Sequence, residues 1–146
     1  MGSSYVQHRG IGYWVVDHYL ELWLCLVTEE ARSLADSPEW LSQAGEYWEF
    51  QATTGFGGHV TAALDRHVGT DPERIAVVLD LAARVLDRLR AWGEAVPREI
   101  ANSYGTGGCP PAFDRDVPTE RVLACGEHFV RLLRAELPAG VQHGPV

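Results

Sequence analysis

The sequence predicts an all-α fold, a single-domain helical bundle of four main helices plus one or two short ones, and three observations predict it. Between Asp71 and Pro97 the residues Ile75, Leu79, Ala82, Leu86, Leu89 and Val96 recur at spacings of three and four, with Gly93 in the gap before Val96. Val78, Leu81, Val85 and Trp92 form a second apolar row beside them, so one side of a helix carries a stripe wide enough to face a core. Helix-start signals stand at Ser37-Pro38-Glu39 and Asp71-Pro72, where a capping side chain precedes a proline whose missing N–H costs nothing in a first turn. A third stripe, Val122, Gly126, Phe129, Leu133 and Leu137, is stopped by Pro138.

Each element follows in order. Residues 1–12 are polar and glycine-bearing and are expected to be loose, as is the end of the chain, 138–146. Tyr13 to about Ala35 is the most apolar stretch. Its run of Val15, Val16, Tyr19, Leu20, Leu22, Trp23, Leu24, Cys25, Leu26 and Val27 passes into Thr-Glu-Glu-Ala-Arg without a turn residue, which predicts a central helix, apolar nearly all round. The helix from Ser37 should close at Gly55, with Leu41, Ala44, Trp48 and Ala52 inward and Glu39, Gln43, Glu46 and Phe50 on another face. A short helix is expected over His59–Val68, and two turns after Pro97. Asp71 competes with Thr70 as the cap of the long helix, and Asp116 with Thr119 as the cap of the last.

The chain has 146 residues, enough for one domain, and a hydrophobic fraction of 46% that argues for a packed core over disorder. All twelve basic residues are arginine, which excludes lysine-based covalent chemistry. A net charge of −8 argues against a nucleic-acid partner. The acidity belongs to the first 60 residues, where Arg9 and Arg32 face Asp17, Glu21, Glu29, Glu30, Asp36, Glu39, Glu46 and Glu49. Residues 1–6 lack the basic-then-apolar layout of a signal peptide, Val6 stands where a myristoylation pattern would have Ser or Thr, and no apolar run has membrane length. Three cysteines without a paired spacing suit reduced thiols, so a cytoplasmic protein is expected.

Chemistry-bearing residues are few. His18, Glu21 and Cys25 lie at spacings of three and four on one side of the first helix and are all zinc-ligand types; His59 or His67 could complete a shell. They match no ligand motif, so a metal-binding or hydrolytic enzyme using them is the alternative reading, and no cofactor is expected. Thr54-Gly55-Phe56-Gly57-Gly58-His59 lacks the Gly-Lys-Ser/Thr end of a phosphate loop and reads as a helix stop and hinge. Cys109 sits in the irregular loop 105–117 as a candidate reactive thiol.

The leading reading rests on aromatics. Eight of the fourteen lie between Tyr13 and Phe50, in the same window as all eight acids of the first half. On the helix from Ser37 one stripe cannot bury Trp40, Tyr47, Trp48 and Phe50 together. A partner-binding patch is therefore expected at Glu39, Trp40, Glu46, Tyr47, Glu49 and Phe50, with rings as anchors and acids steering a basic protein partner. Small, acidic and tryptophan-rich, the chain resembles bacterial immunity and antitoxin proteins in general character. That resemblance implies a non-enzymatic protein acting by occlusion of its partner. A homodimer is a further possibility, raised by the apolar surface of the first helix.

Overall fold

The computed structural model describes residues 2–108 and 111–138. It corrects the all-α expectation: the described residues are 59% helical and hold six helices and two small antiparallel sheets of two strands each. The first sheet is a hairpin of β1 (Ser3–His8) and β2 (Ile11–Val16). It lies where a loose end and the first turn of a helix were expected. Arg9 and Gly10 form its two-residue turn with φ 56° and 80°, the paired positive φ values of the turn that matches strand twist. Along β1, Ser4, Val6 and His8 face inward while Tyr5 and Gln7 face out, and Tyr5 meets Trp14 across the strands.

The helix therefore starts late. α1 (Asp17–Arg32) follows β2 directly, and every residue from Leu20 to Thr28 is buried. It is the central element, as its composition predicts, and α2 (Glu39–Thr54), α4 (Pro72–Trp92) and α6 (Thr119–Leu133) all pack on it. The apolar surface that raised a homodimer is thus covered by the chain itself. α2 buries Leu41, Ala44, Trp48 and Ala52 and closes at Gly55, as expected, although Pro38 occupies the cap position and Ser37 makes no capping bond.

The helix expected over His59–Val68 shrinks to α3 (Leu64–His67), four residues long. The backbone before it is held by side chains instead: Val60 N–H donates to Ser4 Oγ, Thr61 N–H to Gln51 Oε1, and the Trp48 indole donates to the Ala62 carbonyl at 2.7 Å. With those groups satisfied, no helical ladder is needed. α4 is capped by Asp71, whose carboxylate accepts from Glu73 N–H at 2.9 Å, and it buries Val78, Leu81, Ala82, Val85, Leu86 and Leu89. It ends at Trp92, short of Val96, because Gly93 turns out of the helix at φ 80°.

Ala95–Val96 becomes β3 and pairs with β4 (Val117–Pro118), forming the second sheet. Between them stand α5 (Arg98–Asn102) and a 3-10 turn, η1 (Thr106–Gly108). α6 starts at Thr119 with no side-chain cap and ends four residues before the expected Leu137, which is nevertheless buried. Asp116 holds the Arg98 N–H instead of capping α6. Cys109 and the expected tail 139–146 lie outside the described residues. Among the described residues no helix is long and apolar enough to cross a membrane.

Candidate functional site

The outward stripe of α2 forms one wall of a groove. Trp40, Gln43, Glu46, Tyr47 and Phe50 line it from α2, Arg66 and His67 from α3, and Arg74 from the first turn of α4, around a cavity of about 570 Å³. The short α3 makes this possible, since one turn after Ala63 places Arg66 and His67 against the middle of α2. Phe50 is 56% exposed and touches Phe56, while Trp40 and Tyr47 are half-buried. Arg74 lies over Trp40 at 5.0 Å and donates to the His67 carbonyl at 2.9 Å; Arg66 lies over Tyr47 at 5.6 Å. The His67 ring packs against Tyr47 at 4.9 Å. Burial, then the charges of Arg66 and Arg74, hold its pKa below the ordinary histidine value, so the ring is neutral at pH 7.

Four of the six expected partner-binding residues, Trp40, Glu46, Tyr47 and Phe50, therefore meet in one place. Glu39 stands exposed at the start of α2, its carboxylate bonded to Gln43 of the groove at 3.4 Å. Glu49 does not join them. It pairs with Arg32 across a second hollow of about 260 Å³ lined by Cys25, Thr28, Glu29, Ser103 and Tyr104. Sequence reasoning missed the two arginines and took His67 only as a possible completion of a metal shell. Their positions depend on how α3 turns back, and nothing local marks them.

The metal-type cluster is only partly assembled. His18 Nδ1 lies 3.4 Å from Glu21 Oε1 at the foot of α1, and the Gly107 backbone covers the pair so closely that a Cβ there would sit 3.4 Å from the imidazole and 3.6 Å from Glu21 Oε2. Cys25 is buried, and its pKa is pushed up to about 12 by that burial, reinforced by Glu49 and Glu21. A protonated thiol is a poor nucleophile at neutral pH. His59 is exposed in the loop after α2, and His67 belongs to the groove. Among the described residues no group of three or more His, Cys, Asp or Glu is disposed to hold a metal ion.

Glu21 is 2% exposed, and one of its oxygens has no hydrogen-bond partner of normal geometry. Its pKa is pushed up from 4.5 to about 7, chiefly by burial, against the lowering pull of the Gly107 backbone and with a further raise from Asp17. The sign follows from proton linkage. Between those two values the folded chain binds the proton more tightly than the unfolded chain, so this contribution to stability is complete below pH 4.5 and is lost as pH rises through 7. Glu21→Gln should match the parent at pH 4.5 and exceed it by about 3 kcal/mol at pH 8 in urea unfolding. An equal gain at both pH values would refute the buried-acid account.

Asp17 completes the region. Its buried carboxylate accepts from Ser4 Oγ at 2.5 Å and from Gly58 N–H at 2.8 Å, and its own N–H donates to the Gly2 carbonyl at 3.0 Å. One side chain thus joins the hairpin, the start of α1 and the glycine-rich loop. That loop packs backbone to backbone on η1: a Cβ on Gly108 would lie 2.8 Å from Thr54. The loop read as a hinge is clasped from two sides. Compared with family models, with curated proteins and with solved structures, the chain matches none.

Proposed function

We propose that this protein is a non-enzymatic interaction module that captures a partner protein on the groove-bearing face of α2 and acts by covering it, in the manner of immunity or antitoxin proteins. The observation that carries the reading is the row Trp40, Tyr47 and Phe50 along one open cavity, with Phe50 more than half exposed. Rings held in place at a solvent-facing groove are the residue type that anchors interfaces at little entropic cost. The net charge of −8, with Glu39 and Glu46 exposed beside the groove, favours a basic protein over nucleic acid as the partner. Glu49 has no part in steering, because Arg32 neutralises it. A cytosolic setting belongs to this reading and is supported by Cys25 and Cys125, which are free and buried.

A photo-crosslinking side chain at Phe50 should trap the partner in cells, and the same group at Asp80 on the outer face of α4 should not. With the partner in hand, Glu39→Arg/Glu46→Arg should slow association about tenfold at low salt and flatten its salt dependence. Equal trapping at both positions, or an unchanged rate, would sink the proposal. A second copy of this chain as the trapped partner would appear as concentration-dependent mass in light scattering.

A further inference from the structure

The groove has a chemical character of its own that the acidic surface around it does not share. Arg66 has no carboxylate partner among the described residues, and its guanidinium rests on the Tyr47 ring. Arg74 is held by its bond to the His67 carbonyl and lies over Trp40, and its nearest carboxylate oxygen, on Asp71, is 3.8 Å from Nε. His67 lines the same cavity, is only 8% exposed, and its Nε2 is buried with no hydrogen-bond partner. Buried polar groups without partners are rare in folded chains, and this one belongs to a residue that lines a ligand-sized cavity.

We propose that this cavity binds a carboxylate, namely an aspartate or glutamate side chain of the partner protein lying next to an apolar residue. The inference rests on the preceding reading that the α2 face docks a protein. Two guanidiniums placed over aromatic rings, at 5.6 and 5.0 Å, keep their charge in place with less flexibility to lose at the moment of binding. The neutral imidazole supplies one N–H, which a carboxylate oxygen accepts. Trp40, Tyr47 and Phe50 provide the apolar walls beside it. Charge selects the monoanion: Arg66 and Arg74 against Glu46 leave a surplus of one positive charge among the lining residues, which suits a carboxylate better than a phosphate dianion. The acidic exterior then attracts a basic partner, while an acid on that partner fixes its register, so a uniformly basic competitor leaves the two arginines unpaired.

The test uses the full chain and two small probes of one shape, 3-phenylpropionate and its neutral amide, titrated while the Trp40 indole N–H and the Arg66 and Arg74 Nε–H signals are followed by NMR. The acid should shift all three signals saturably and bind at least about tenfold more tightly than the amide. Arg66→Gln, at an exposed position, should keep the fold by circular dichroism and lose most of that preference. Equal binding of acid and amide would overturn the proposal, as would shifts confined to other arginines or no saturation up to about 50 mM. Tighter binding of adenosine monophosphate at the same signals would also overturn it and assign the groove to a nucleotide. Failure here leaves trapping at Phe50 intact. Loss of trapping with the acid preference intact would support the carboxylate pocket and overturn only its assignment to a partner protein.

Discussion

Gly126→Ala is expected to destabilise the protein by about 4 kcal/mol, although alanine is the better helix former by about 1 kcal/mol. Gly126 lies in the middle of α6, facing α1. A Cβ there would stand 2.3, 2.6 and 2.8 Å from Cζ3, Cη2 and Cε3 of Trp23. Those distances are far inside van der Waals contact, and the obstacle is the rigid six-membered edge of an indole. Trp23 cannot give way. It is fully buried and meets Phe129 edge-on at 5.5 Å, so moving it displaces the centre of the core. Urea unfolding measures the loss directly. Trp23→Phe in the Gly126→Ala background should recover most of it, since the smaller ring makes room and removes a buried indole N–H that has no partner. Additive losses in the two variants would show that the helices separate by another route.

Asp17→Ala is expected to cost about 3 kcal/mol and to release the hairpin and the 57–60 loop together. The truncation leaves the partly buried Gly58 N–H without its acceptor and the buried Ser4 hydroxyl without the group it donates to. Hydrogen exchange distinguishes this from a general loss of stability. The Gly58 and Val60 amides should lose protection ahead of α4 amides such as Leu81. The same substitution removes a negative charge that helps raise Glu21, so the Glu21 titration should move down toward 4.5. Uniform loss of protection, with Glu21 unmoved, would show that Asp17 acts only through bulk stability.

The amphipathic helices were legible because their periodicity is strong and their ends are marked. Asp71 caps α4 as read, Gly55 closes α2, and the inward residues of both match the stripes. The hairpin was hidden by continuity. Tyr13–Val16 runs without a break into the apolar face of α1, and β1 contributes Val6 as its one aliphatic residue, so the alternation of period two was drowned. Arg9-Gly10 was the available signal. Within α2, Glu49 follows Trp40 by nine residues, about two and a half turns, so the helical period alone places it opposite the aromatic row. The remaining half of the groove could not be read. Arg66 and Arg74 are separated by a turn at Gly69 and come to Trp40 and Tyr47 through tertiary packing, for which a single sequence carries no local mark.

The enclosure of α1 has a consequence for how the chain is made. Leu20 to Thr28 is sealed on one side by α6, the last helix of the described residues, and Tyr13 of the hairpin reaches the Cys125 carbonyl of the same helix at 3.0 Å. During synthesis α2 and α4 can cover other sides of this stretch as they emerge, but the side that α6 seals stays open until residues 119–133 have left the ribosome. At about 5–20 residues per second, that interval lasts several seconds or more. A ribosome-stalled chain ending before Thr119 should therefore bind a hydrophobic dye that the finished protein ignores, and its dependence on chaperones should vanish when α6 is complete.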